Sequence, residues 1–266
     1  MHPDLIAGLP IKTYGFCMAL GFLAAWQVLS WLCRRTGRAA DPLSNLLMLM
    51  LFSGIIGARL EYVREFWERE FASNPLSIFK IWQGGLVFYG GLILAIAVFF
   101  VWCRVRRERV APVADLFVTV IPLAHAFGRV GCFFYGCCYG RVSTCACAVA
   151  FPRRSPAWVA QVDGGLIPET AQSALPVLPT QLFEAAANLA LFAALFFFFR
   201  RFRRGTMALY LIGYAIIRFG MEYLRGDPRA AVGPFSISQT ISLALLFAGL
   251  TLLAVMWRGK RQASVP

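Results

Sequence analysis

The sequence predicts an all-α integral membrane protein of seven transmembrane helices, with the N-terminus outside and the C-terminus cytoplasmic. Three observations carry that expectation. The 266 residues are 59% hydrophobic and only 15% charged, whereas soluble domains carry nearer a quarter charged residues. Apolar windows of about twenty residues, the length that crosses a bilayer, recur along the chain. The arginines sit in short clusters after alternate windows, which is a topology signal.

The spans fall near 13–33, 43–63, 84–103, 114–136, 181–199, 206–224 and 236–257. Arg34, Arg35 and Arg38 follow the first, and Arg104, Arg106, Arg107 and Arg109 the third. Arg200, Arg201, Arg203 and Arg204 follow the fifth, and Arg258, Lys260 and Arg261 the seventh. The positive-inside rule places all four clusters in the cytoplasm and so fixes the orientation. The opening "MHPDLIAGLPIKTYGF" lacks the basic region, apolar core and cleavage site of a secretory signal, so the first span is expected to be retained. No linker divides the spans, and residues 1–266 are expected to form a single polytopic domain. Its extracytoplasmic segments lie at about 64–83 and 137–180. The first mixes charges with aromatics and suits the membrane surface. The second is rich in Pro, Gly and small residues and reads as a loop. The net charge of +13 is spread over inter-span loops and gives no phosphate-backbone footprint, so no nucleic-acid partner is expected.

Helix rise then assigns depths. Arg129 lies fourteen positions beyond Asp115, and Arg218 fourteen beyond Arg204, so each sits about 21 Å from the inner boundary. Arg59 comes to roughly 23 Å, with Tyr14 and Tyr89 near the same layer. Intramembrane arginine is costly, by about 3 kcal/mol even on insertion scales. Glu61 and Glu222 are available as partners, and Arg225 continues the face of Arg218 and Glu222. Two carboxylates against four arginines leave room for an anion, and guanidinium matches phosphate by forked hydrogen bonds. A lipid phosphate reached from the outer leaflet is the simplest such anion. The plainer alternative is that each arginine snorkels to the headgroups or pairs with a glutamate.

At these residues the chain resembles the prolipoprotein diacylglyceryl transferase family of bacterial inner-membrane enzymes. "HPDLIAGLPIKTYGF", "IIGARLEYV", "GGLVFYGG", "GRVGCFFYGCCYGR", "LPTQLFEA" and "IRFGMEYLRGD" resemble successive family segments, in order. The resemblance implies seven helices and transfer of diacylglyceryl from phosphatidylglycerol to the lipobox cysteine thiol of a prolipoprotein signal peptide. The site would open toward the outer leaflet of the bacterial inner membrane, among membrane lipids and with no cofactor. It implies Arg129, Arg218, Tyr89 and Glu222 as catalytic candidates, to which the helix spacing adds His125, and Tyr14, Arg59, Gly131, Gly140 and Arg225 as substrate-binding ones. No metal ligand is assigned. The chain departs from the family where a histidine becomes Tyr89, asparagines become Cys132 and Tyr135, and a glutamate becomes Cys137.

Those departures leave the base open. A phenol, titrating near 10 in peptides, is a weak substitute for histidine. His125, one turn from Arg129 on the same face, is either the replacement base or a neutral histidine bonded within the bundle. Glu222 is expected to orient an arginine. Gly128 and Gly131 allow close helix approach, Gly136 and Gly140 a turn out of the bilayer, or their amides face the headgroup. Cys132, Cys137, Cys138, Cys145 and Cys147 cluster near the outer surface, where disulfides are the default, with Cys145 and Cys147 as plausible partners of Cys137 and Cys138. A metal site is the runner-up for the cluster. Two rivals to the transferase remain: a non-catalytic phospholipid-binding protein, or a transferase with another acceptor. A transporter fits poorly, because the inner halves "LALFAALFFFF" and "LFAGLTLLAV" offer no polar path.

Overall fold

The computed structural model describes residues 13–227 and 231–262. Most of the opening segment lies outside the described residues, as do the side chains of Arg258, Lys260 and Arg261. Among the described residues eight α-helices run α1 (Thr13–Arg35), α2 (Ala40–Glu65), α3 (Phe88–Val105), α4 (Val110–Tyr135), α5 (Pro156–Asp163), α6 (Thr180–Phe202), α7 (Thr206–Glu222) and α8 (Ile237–Gln262). Among the described residues six of them, α1, α2, α3, α4, α6 and α8, are long and apolar enough to cross a membrane. The segment expected as a span at 206–224 forms α7, which has 17 residues and carries Arg218 and Glu222. The chain gathers into two compact units, residues 29–113 and residues 1–28 with 114–266.

In the 29–113 unit, α2 and α3 meet along glycines. A Cβ on Gly57 would strike the carbonyl oxygen of Gly90, and one on Gly91 that of Gly54. Close backbone approach at small residues is how apolar helices gain contact where lipid already solvates their side chains. The segment between them is built from short turns at Trp67–Phe71, Pro75–Phe79 and Ile81–Gln83. Leu76, Phe79 and Trp82 are exposed on it.

In the other unit, α7 packs between α6 and α8, with Gly213 against Leu191 and Gly249 against Ile212 and Leu211. Left-handed backbone at Arg203 and Gly205 turns the chain from α6 into α7. The buried carboxylate of Asp115 on α4 accepts from the amides of Gly205 (2.9 Å) and Met207 (2.7 Å). An acid there satisfies orphan N–H groups and complements the helix dipole.

The segment 136–179, expected as a loop, is an ordered lobe. Tyr139, Phe151, Ala157, Trp158, Ala174 and Val177 form its core. Ser155 caps α5 by accepting from the Trp158 amide, and Gln161 bonds both the amide and the carbonyl of Leu175. Isolated bridges join Val142 and Val149 to Val177. Cys145 and Cys147 form a disulfide with each other. The sequence left the connectivity open, with Cys137 and Cys138 as plausible partners for these two, and the structure pairs them with each other.

Candidate active site

The polar centre of the larger unit is assembled on α4, α6 and α7. Arg129 Nη2 lies 2.9 Å from Glu184 Oε1 on α6, whose carboxylate is fully buried. One turn back on α4, His125 Nε2 accepts from Arg129 Nε at 3.1 Å and lies 3.8 Å from the same carboxylate oxygen. An imidazole nitrogen that accepts carries no proton, so His125 is neutral and donates, if at all, from Nδ1. Its ring sits 5.7 Å from that of Tyr214. With Nε2 occupied by the guanidinium, His125 lacks a free lone pair for an acceptor thiol.

On α7, Arg218 pairs with Glu222 one turn on at 2.7 Å and donates from Nη2 to Ser238 Oγ on α8 at 2.7 Å. Arg225 grips Asp227 with two 2.7 Å bonds. The guanidiniums of Arg129 and Arg218 are both within electrostatic reach of His125, and Arg225 is within reach of Arg129. Tyr14 joins this group, its ring packed against Gly131. The structure thus brings Tyr14, His125, Arg129, Arg218, Glu222 and Arg225 together.

The expected surplus of positive charge is not found here. Arg129, Arg218 and Arg225 each have a carboxylate, because Glu184 comes in from a separate helix and Asp227 lies two residues beyond Arg225. Glu184 was legible as the single acid of an otherwise apolar span, at the end of "LPTQLFE". What remains is hydrogen-bonding capacity of both kinds: the acceptors Gln181 Oε1 and Asn188 Oδ1 are buried without a hydrogen-bond partner among the described residues, and so are two donors. Nη1 of Arg218 and Nη1 of Arg225 are buried with no hydrogen-bond partner among the described residues. An unsatisfied buried donor costs about 1–3 kcal/mol, more when charged. An anionic oxygen is what such donors accept best.

Arg59 lies in the other unit and has a different task. It donates from Nε to Ile78 O (2.8 Å), from Nη1 to Gly84 O (2.8 Å) and Gly85 O (3.0 Å), and from Nη2 to Ser77 O (2.7 Å). Four of its five N–H groups therefore fix the 75–85 turns, with Tyr62 and Phe71 stacked on the guanidinium. Glu61, its expected partner, instead binds Arg64. Four of its donors are thus spent on carbonyls. Tyr89, also in that unit, is half exposed with its ring edge-on to Phe88 at 5.7 Å.

The two glycines assigned to substrate are explained by packing. Gly131 lies inside α4, where a Cβ would press on Tyr14 and Cys17. The Gly140 amide donates to Leu178 O at 2.9 Å, and a Cβ there would strike Leu178 and the Leu224 carbonyl. Close packing requires glycine at both positions.

At the end of α4 the chain wraps back on itself. The amides of Gly136 and Cys137 both donate to Cys132 O, at 2.9 and 3.2 Å, and left-handed backbone at Gly136 and Cys138 closes the turn. Gln181 Nε2 holds the Cys137 carbonyl at 2.7 Å, and Thr180 Oγ1 the Cys138 carbonyl at 2.8 Å. The sulfurs of Cys132, Cys137 and Cys138 consequently lie within 4.8 Å of one another as free thiols. Hydrogen bonds from Cys132 and Cys137 hold the Cys138 thiol well below the ordinary thiol range, with Arg225 and Arg129 adding to the effect. Cys137 is pushed up, chiefly by its hydrogen bonds to Cys132 and Cys138.

The helices and this centre define a polytopic membrane protein with a buried arginine–carboxylate site bordered by thiols. The chain belongs to the prolipoprotein diacylglyceryl transferase family, which it matches over residues 4–255. It is 36% identical over 255 residues to phosphatidylglycerol–prolipoprotein diacylglyceryl transferase 2 of Clostridium perfringens, covering 93% of this chain and 91% of that protein. It is 32% identical to the phosphatidylglycerol–prolipoprotein diacylglyceryl transferase of Clostridium tetani, covering 94% and 96%. The enzyme of the same name from Photorhabdus laumondii is 34% identical, covering 97% and 92%.

Proposed function

We propose that this protein transfers the diacylglyceryl group of phosphatidylglycerol to the lipobox cysteine thiol of a prolipoprotein. Seven spans would carry it through the bacterial inner membrane, with the N-terminus outside, the C-terminus cytoplasmic and the site open to the outer leaflet. The acceptor sulfur attacks the glycerol carbon next to the phosphate, the C–O bond breaks, and glycerol phosphate leaves. The phosphodiester has one negative charge and the departing monoester approaches two, so the transition state gathers charge on phosphate oxygens. Arg129 and Arg218 meet that charge in a low-dielectric layer where preorganised donors act most strongly. Glu184 and His125 fix the first guanidinium, and Glu222 with Ser238 the second. Tyr14 and Arg225 line the headgroup.

The observation that carries this reading is the buried, unpartnered Nη1 of Arg218 and of Arg225 beside the Arg129 cluster, in a chain of this family. Purified protein incubated with labelled phosphatidylglycerol and a lipobox peptide is expected to give a thioether product and glycerol phosphate. Replacing Arg218 by Gln is expected to lower the rate by about 100- to 1,000-fold, the usual cost of losing one such donor. Lipid binding without any thioether product would establish the non-catalytic reading instead.

A further inference from the structure

We propose that Cys132, Cys137 and Cys138 bind one thiophilic divalent cation of the zinc type, whose open fourth position takes the acceptor thiol as thiolate. The thiol-ligation half of this proposal rests on the transfer reading above; the metal half does not.

The geometry is that of a three-ligand site. Tetrahedral Zn–S bonds of about 2.3 Å put sulfurs about 3.8 Å apart, and these three lie within 4.8 Å of one another. Each thus needs to shift by less than about 1 Å, a side-chain adjustment. The backbone beneath is already fixed. Cys132 O receives two amides, and Gln181 and Thr180 hold the carbonyls of Cys137 and Cys138. The left-handed residue at Cys138 lets two adjacent cysteines aim at one point, which extended or helical backbone would prevent. A disulfide would use two sulfurs and strand the third, whereas a cation engages all three. The cluster is only partly buried, so an ion and a fourth ligand can enter.

Charge favours the same occupant. Three thiolates around a divalent ion carry a net charge of minus one. Arg225 lies against Cys138, and Arg129 is within electrostatic reach of Cys132 and Cys138.

Three protein ligands and one open position is also the arrangement of a working zinc site rather than a structural one. The reaction needs a thiolate, and neither Tyr89 nor the occupied Nε2 of His125 supplies an evident base. A coordinated thiol is deprotonated without one. On coordination the acceptor S–H releases its proton to water. Its sulfur lone pair then forms the S–C bond while the C–O electron pair departs with glycerol phosphate. The thioether formed is neutral and a weak ligand, so product leaves the metal.

The test uses the full chain in detergent, reduced, metal-stripped and titrated with Co(II). One equivalent is expected to give a sulfur-to-cobalt charge-transfer band, which a lipobox cysteine peptide raises by about a third as three thiolates become four. The same peptide with serine is expected to leave the band unchanged. Cys132→Ser and Cys137→Ser should each weaken Co(II) binding at least about tenfold while retaining labelled phosphatidylglycerol. Cys145→Ser/Cys147→Ser should bind Co(II) as the parent does. Absence of a saturable band, a band unchanged in both single variants, or a disulfide among the three thiols after non-reducing purification would each overturn the site. A band indifferent to the cysteine peptide would overturn the thiol-ligation step. Wild-type transfer rates from stripped protein would sink that step yet leave the transfer reading standing. Intact Co(II) binding with no thioether product would sink the transfer reading, and the thiol-ligation step with it, and leave the metal site standing.

Discussion

Replacing Glu184 separates what holds Arg129 from what Arg129 does. Glu184 is fully buried, and its Oε1 lies 2.9 Å from Arg129 Nη2. A glutamine side chain keeps the volume, so Glu184→Gln removes the charge of this ion pair and little else. A charge-assisted polar contact contributes about 1.5–3 kcal/mol, a neutral one about 0.5–1.5. The difference, about 1–2 kcal/mol, corresponds to a loss of about 5- to 30-fold if it falls wholly on the transition state. Glu184→Ala strands a largely buried guanidinium, for which about 3–5 kcal/mol is the usual cost. Arg129 retains 16% side-chain exposure, so the lower end applies, about 100-fold. The assay is the initial rate of thioether formation at saturating phosphatidylglycerol, with the thermal midpoint measured alongside. Because Glu184 positions Arg129 and does not touch substrate, kcat should fall more than KM rises, and Glu184→Asp should recover part of the loss. Both variants folded and within twofold of the parent rate would refute the reasoning.

Asp115→Asn keeps one acceptor at the start of α7 but loses the charge facing the helix dipole. A loss of about 1 kcal/mol in stability is expected, read as a lower thermal midpoint with the transfer chemistry retained. Arg59→Lys replaces a planar fork by a point charge that cannot reach four carbonyls at once. Amides of residues 75–85 should then exchange hydrogen at least about tenfold faster, and unchanged protection would count against the structural role of Arg59. In metal-free protein, iodoacetamide should modify Cys138 before Cys137 near neutral pH. A depressed folded pKa keeps the reactive thiolate above that value and loses it only as pH falls through it, whereas the raised Cys137 stays protonated. Mass spectrometry finding Cys137 labelled first would reverse that assignment.

Six apolar windows were legible because a bilayer demands the same thing of every residue in about twenty. α1, α2, α3, α4, α6 and α8 lie within a few residues of their expected bounds. The polar centre was legible in part. Arg129 and Arg218 announce themselves as charges at depth, and His125 and Glu222 as residues one turn away on the same faces. Glu184 sits on a different helix, so no spacing rule connects it to Arg129. Arg59 looked like the other two arginines because sequence reports depth but not direction, and only its carbonyl partners show that its donors are spent.

Periodic composition therefore determined the helices, the solvent they face and the level of the charges, since each is set by residues close in the chain. Tertiary structure alone decided that Arg129 takes Glu184, that Cys145 and Cys147 bond each other, and that Cys132, Cys137 and Cys138 converge. It also decided that residues 136–179 fold around an irregularly spaced core. Those outcomes depend on the separation of atoms from different segments, which hydrophobic burial and hydrogen-bond satisfaction fix only when the whole chain is packed.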